Sequence, residues 1–319
     1  MMERVFDSIV HFGRQWEKDV CLAIGMFDGV HCGHRCVLDL AIEKARSFNG
    51  SSVALTFPQH PASYLRPGNE PPLLMSALDK AGGLLSAGVD AVILQPFDHL
   101  LSSQKADHFL PFLREHIPLL KAITVGENFR FGKNRGGDSS MLVEMGLVHG
   151  VNVNVAESLV MDNSPVSSSR IRHALSQGNI KEVNQMLGRP YLVSGKVVSG
   201  NSLGRTLGFP TLNVEWSPQA RPAFAVYSGM VKEKSSGVQI PAVANYGIRP
   251  TVEQQHKAPV LEIHCLEQPD VSIWQEGAQL EMELLNFLRP EMKFCNVEEL
   301  SVQIRKDCIE ARSLFSELL

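Results

Sequence analysis

Two histidines three residues apart, His31 and His34, lie in a run that also holds glycines at positions 25, 29 and 33. Imidazole N–H groups donate to phosphate oxygens, and glycine permits positive φ and close backbone approach, so this set suits an anion. Further along, Ser168 and Ser169 precede Arg170 and Arg172. The serines read equally well as helix N-caps, but arginines at a helix start run against the dipole and are explained by a bound anion. In the second half, Thr211 and Asn213 follow a glycine loop that holds Arg205, and Glu262 and His264 alternate with Leu261 and Ile263. A hydroxyl and an amide oxygen two residues apart on an extended chain point to one side, which suits a hard cation beside a nucleotide. An ordinary turn accounts for the same residues through local hydrogen bonds, and a strand carboxylate can simply face solvent.

The elements that would hold these groups can be read from periodicity. Val20–Ile24 is an apolar run with the character of a buried parallel strand, and residues 35–48 carry a helical period, so the histidine run is a strand-to-helix turn. The helix directs its unpaired N–H groups and positive dipole end into that turn, which outlines a phosphate site. His31, Cys32, His34 and Cys36 are also zinc-ligand types, yet four groups crowded on one turn and helix start do not close a tetrahedron.

Strand candidates recur at 52–57, 91–94, 122–125 and 151–156, alternating with helical candidates near 77–87, 105–116 and 139–148. That order argues for a parallel sheet with helices on both faces, whose ligands bind beyond the carboxyl ends of the strands. After the second strand comes a proline-rich loop with His60, and after the fourth a glycine-rich loop with Asn128, Arg130, Lys133 and Arg135. The latter is no Walker A loop, because its glycine spacing is wrong and Asn134 stands where Ser or Thr is required.

A short helix ending in glycine and proline near residue 188 marks a change of pattern, and we place a domain boundary between 185 and 186. Beyond it, β-rich runs at 191–199, 225–232, 239–244, 260–266 and 279–285 predict an antiparallel sheet or small barrel. Val297, Leu300, Ile304, Cys308, Ala311, Phe315 and Leu318 then repeat at helical spacing, predicting a terminal helix packed on that barrel.

The chain has 319 residues, enough for two domains, and its formal net charge of −4 gives no global reason to expect nucleic acid or an anionic membrane as partner. No apolar stretch reaches transmembrane length, the start lacks signal-peptide character, and six scattered cysteines fit buried, reduced thiols. The expectation is a cytoplasmic protein.

Three motifs make the reading specific: Gly-x-Phe-Asp-Gly-Val-His-x-Gly-His at 25–34, Gly-Glu-Asn-Phe-Arg-Phe-Gly at 126–132 and Ser-Ser-Ser-Arg-Ile-Arg at 167–172. Together they resemble the nucleotidylyltransferase module of bacterial bifunctional riboflavin kinase/FAD synthetases. In the second half, Gly-Phe-Pro-Thr-x-Asn, Asn-x-Gly-x-Arg-Pro-Thr, Glu-x-His and Leu-Arg-Pro-Glu occur in the order of the riboflavin kinase module of the same enzymes.

The resemblance implies a Rossmann-like FMN adenylyltransferase domain over 1–185 and a riboflavin kinase barrel over 186–319. It implies riboflavin, FMN and ATP as substrates, Mg²⁺ as cofactor and FAD as product. By the same carry-over, His31 and His34 act at the ATP phosphates, with Gly25, Phe27, Asp28, Gly33, Asn128, Ser168, Ser169, Arg170 and Arg172 completing the nucleotide site. In the barrel, Arg205 lies at the ATP phosphates, Thr211 and Asn213 hold Mg²⁺ and nucleotide, and Glu262 is the base for the ribityl hydroxyl. Departures from the family pattern are Ala225 in place of glycine, Gln275-Glu276-Gly277 in place of Leu-Tyr-Gly, and Pro58-Gln59 before His60. The alternatives are a nucleotidylyltransferase for another phosphorylated small molecule, and a flavin or nucleotide sensor with weakened kinase activity.

Overall fold

The computed structural model describes residues 2–199, 208–234, 237–248, 259–267 and 274–316. Arg205 and the Arg-Pro-Thr end of the 245–251 motif lie outside the described residues. The chain divides into two compact units, Met1–Ser168 and Ser169–Leu319.

The first unit runs β1 (Val5–Phe6), α1 (Ile9–Gln15), β2 (Val20–Ile24), α2 (Cys32–Ser47), β3 (Ser51–Thr56), α3 (Pro61–Leu65), α4 (Ala77–Ser86), β4 (Ala91–Leu94), α5 (His99–Ser103) and α6 (Ala106–His116). It continues with β5 (Leu120–Gly126), β6 (Arg130–Phe131), β7 (Gly137–Asp138), α7 (Ser139–His149), β8 (Asn152–Ala156) and the short pair β9 (Val160–Met161) and β10 (Ser164–Pro165). Six strands form a parallel sheet in the order β1-β4-β3-β2-β5-β8.

Every residue of β2 and β3 is buried, because apolar layers cover both faces of the sheet. Leu22, Ile24, Val53, Leu55, Ile93 and Ile123 pack with Phe12, Phe109, Leu110 and Leu113 on one face. Ala23, Ala54 and Val92 pack with Val37, Leu38, Ala41, Ala81 and Leu84 on the other. The chain leaves β2 for β3 on one side and β5 for β8 on the other, so the crevice between the neighbours β2 and β5 is the switch point where such sheets bind ligands.

The second unit opens with α8 (Ser168–Ser176, whose first residue closes the first unit) and α9 (Ile180–Leu187). Its strands are β11 (Tyr191–Val198), β12 (Leu212–Glu215), β13 (Ala225–Glu233), β14 (Gln239–Ile248), β15 (Pro259–Cys265) and β16 (Gln279–Pro290), followed by α10 (Val297–Ser316). The strands close into an antiparallel barrel in the order β11-β12-β15-β14-β13-β16. β12 is a strand that hydrophobic pattern alone does not reveal, since it has four residues and prolines close on both sides.

Cys308 and Ala311 of α10 pack with Val226, Val243 and Leu266, while Val297, at the head of the apolar stripe, is half exposed. The α10 anchor is ionic as well. The Arg289 guanidinium grips the buried Asp307 carboxylate through contacts of 2.8–3.1 Å. None of the six cysteines is in a disulfide; Cys21 and Cys308 are buried, Cys32, Cys36 and Cys265 partly so, and Cys295 is exposed, so the thiols are less buried than expected. Among the described residues no helix is long and apolar enough to cross a membrane.

Candidate functional site

The turn from β2 into α2 is a strained backbone held by its surroundings. Phe27, Gly29 and Val30 have φ of 48°, 87° and 43°. For β-branched Val30 that is an outlier costing about 1–3 kcal/mol, which persists only where neighbours over-determine it. They do so here. The buried Asp28 carboxylate accepts from the Leu74 N–H at 2.9 Å, and the Ser168 hydroxyl donates to the Asp28 carbonyl at 2.9 Å. The Thr56 hydroxyl donates to the Met26 carbonyl at 2.8 Å, and so does the Lys80 ammonium at 3.2 Å. Glycine at 25 leaves room for the Phe27 ring, which a Cβ would meet at 2.9 Å.

His31 is the N-cap of the 16-residue α2 and His34 its third residue. Their rings stack 3.5 Å apart, and each Nδ1 accepts the other residue's backbone N–H, at 3.2 and 3.3 Å. This is a capping box built from two imidazoles. A nitrogen that accepts carries its lone pair, so the proton of each neutral ring sits on Nε2, and both rings are Nε2–H donors. Burial first, and then the neighbouring His31 and the Lys80 ammonium, hold the His34 pKa well below its ordinary value, which keeps that ring neutral at pH 7. Glycine at 33 lets the first turn of α2 approach the chain ahead of α8, where a Cβ would meet the Val166 carbonyl at 3.2 Å.

The loop after β5 presents Asn128 on an exposed turn closed by Phe129 N–H to the Gly126 carbonyl at 3.0 Å. Phe129 and Phe131 stack and anchor the loop against Phe109. Arg130, Lys133 and Arg135 are exposed around it. Because β2 and β5 are neighbours, this loop and the histidine turn leave the sheet side by side.

On α8, Arg170 pairs with Glu182 of α9 at 2.9 Å, which accounts for one of the two arginines without an anion. Arg172 is half-buried and donates to the Ser169 hydroxyl at 3.4 Å.

In the barrel, strand register assembles what lies far apart in sequence. Glu262 of β15 is directly opposite Asn213 on β12 and Asn245 on β14. Direct partners share a face with Cβ atoms about 4.5–5.5 Å apart, so the carboxylate stands between two amides. Asn213 is buried, and Glu262 and Asn245 partly so. His264, on the same face, donates from Nδ1 to the Pro210 carbonyl at 2.9 Å, and its ring edge meets Phe209. It thereby ties the approach to Thr211 onto the strand that carries Glu262, a role that strand alternation alone does not announce. Thr211 is partly buried just before β12. Gly247 lies against the carboxylate end of the exposed Glu291 side chain, which brings the Asn-x-Gly and Leu-Arg-Pro-Glu motifs side by side. Ala225 sits fully buried in β13, and Gly277 turns into β16 at φ 97°.

The arrangement defines two phosphate-transfer modules on one chain, an α/β nucleotidylyltransferase unit and an antiparallel kinase barrel. The family model for FAD synthetase matches residues 14–170, and that for riboflavin kinase matches residues 187–315. The bifunctional riboflavin kinase/FMN adenylyltransferase of Haemophilus influenzae is 36% identical over 307 residues, covering 96% of this chain and 98% of the relative. Its counterparts in Escherichia coli K12 and Pseudomonas fluorescens are each 34% identical, covering 96% and 92% of this chain and 96% and 93% of theirs. The chain belongs to the bifunctional riboflavin kinase/FMN adenylyltransferase family. A crystal structure described as a macrolide-efflux protein from Streptococcus pneumoniae shares the fold, with a TM-score of 0.82 at 24% identity over 94% of this chain and 96% of that one.

Proposed function

We propose a division of two ATP-dependent transfers along the chain. The barrel, with the boundary at 186, phosphorylates riboflavin to FMN, and the parallel-sheet unit, over 1–185, adenylylates FMN to FAD with release of pyrophosphate. The observation that carries this reading is the stacked histidine pair capping α2 in a turn held in a strained conformation.

In adenylyl transfer an FMN phosphate oxygen attacks the α-phosphorus of ATP in line, and the bond to the β-phosphate oxygen breaks. His31 and His34 donate from Nε2–H, and α2 adds its N-terminal N–H groups, to oxygens whose negative charge rises in that step. Gly25, Phe27, Asp28 and Gly33 shape the turn, and Asn128, Ser168, Ser169 and Arg172 complete the nucleotide site, with Arg170 braced on Glu182.

In the kinase reaction the terminal ribityl hydroxyl attacks the γ-phosphorus and ADP leaves. Glu262 takes the hydroxyl proton, while the Asn213 and Asn245 amides hold the carboxylate in place. Thr211 and Asn213 are hard oxygen donors of the kind that would hold Mg²⁺, which binds through one or two protein oxygens, water and substrate phosphates. When bound, it neutralises phosphate charge. Arg205 belongs to the same phosphate site in this reading.

Thiols outside disulfides and dependence on ATP suit the cytoplasm. Incubating the purified protein with riboflavin, ATP and Mg²⁺ and separating the flavins by chromatography tests the reading. FMN followed by FAD is expected, and failure to form either product refutes it.

A further inference from the structure

Helix α4 carries a lysine that belongs to none of the motifs. Lys80 is 1% exposed and lies against the apolar layer formed with Ala81 and Leu84. Its ammonium donates to two backbone carbonyls, Met26 at 3.2 Å in the histidine turn and Phe57 at 2.5 Å at the head of the loop after β3. Burying an ammonium is costly, and an apolar side chain of similar length would fill the volume without that cost. Its charge acts on the site, since it helps to keep His34 neutral, while Asp28 favours the charged lysine.

We infer that Lys80 is a positioning residue for adenylyl transfer: it clamps the β2–α2 turn to the loop after β3 and holds a positive charge behind the phosphate-binding histidines. A clamp of this kind sets where His31 and His34 stand, and displacement of a catalytic group by about 1 Å can cost about 10²-fold in rate. The inference rests on the first unit being the adenylyltransferase, which FAD formation by the wild-type chain establishes separately.

The charge is conditional on pH. Burial lowers the Lys80 pKa to about 8, with Asp28 opposing. The titratable groups that face it are Asp28 from the turn and His34 from α2, and the end of β3 contributes the Phe57 carbonyl. kcat/KM reports ionisations of the free enzyme, so kcat/KM for FAD formation should fall as pH rises through about 8.

The test measures FAD formation from FMN and ATP in the full chain, with riboflavin phosphorylation by the same sample as the control. Lys80→Met should lower kcat about 10- to 100-fold with little change in KM for FMN, leave the kinase rate unchanged and abolish the alkaline limb. Lys80→Arg, which cannot lose its charge in this range, should recover part of the rate and also lack the limb. A folded Lys80→Met protein with wild-type kcat, or one that keeps the limb, overturns the inference. Should Lys80→Met not fold, the wild-type profile decides, because absence of an alkaline limb near pH 8 also overturns it.

Discussion

His31 has two separable jobs, and a pair of substitutions pulls them apart. Its Nδ1 accepts the His34 N–H at 3.2 Å and caps α2, while its Nε2–H is assigned to phosphate. Asparagine is among the best N-caps and reaches the same N–H through a side-chain oxygen, but it cannot place a donor where Nε2 lies. Alanine loses both functions. Loss of a cap costs about 1 kcal/mol, or about 2–4 °C in a unit of this size. Loss of one transition-state donor costs about 10²–10³ in kcat. His31→Ala should therefore melt a few degrees below wild type and His31→Asn close to it, while both lose FAD formation to a similar degree. Chromatography of the flavins from riboflavin and ATP should show FMN accumulating in both, because the kinase motifs lie in the other unit. Near-normal FAD formation by His31→Asn would refute the donor role and leave His31 as a cap.

Three further outcomes follow from the same geometry. Glu262→Gln should lower riboflavin kinase turnover by about 10²-fold at saturating substrates and spare FAD formation from supplied FMN; an unchanged kinase rate would make Glu262 a solvated strand residue. His34 is held below its ordinary pKa, so near and below pH 6.5 the unfolded chain binds a proton that the folded chain refuses. Stability should thus rise with pH through that window and fall on acidification. Denaturant midpoints at pH 5.5 and 7.5 should differ less in His34→Gln, which keeps a capping-box acceptor, than in wild type. Finally, the Asn184 side chain donates to the Leu284 carbonyl and accepts from the Tyr191 N–H, each at 2.8 Å, and Ile180 and Val183 are buried on α9. A fragment starting at Asn179 should fold and keep kinase activity, and one starting at Met186 should be less stable by about 3 kcal/mol or more; equal denaturation midpoints would show that α9 adds nothing.

Much of this could be read from sequence because it is local. Glycines at 25, 29 and 33, two histidines and an apolar run are close in the chain, and turn chemistry depends on neighbours of that kind. The alternation of strands and helices in the first unit was legible for the same reason. Lys80 was not, because one lysine on an amphipathic helix reads as a solvated residue until the helix is docked. The Arg170–Glu182 pair was hidden by the turn between α8 and α9. The partners of Glu262 were hidden more deeply, because Asn213 and Asn245 are brought to it only by the register of three strands.

That dependence on register separates the two sites physically. At the histidine turn, position is enforced by tethers to Asp28, Met26 and the α2 cap, so losing one tether relaxes the turn by degrees. In the barrel a slip of one residue in β15 would send Glu262 to the face that now holds the buried Leu261 and Ile263. The carboxylate is therefore placed in an all-or-none manner by pairing on both flanks. The apolar burial of Leu261 and Ile263 is what makes the alternative register costly, so these side chains secure the position of a group they do not touch.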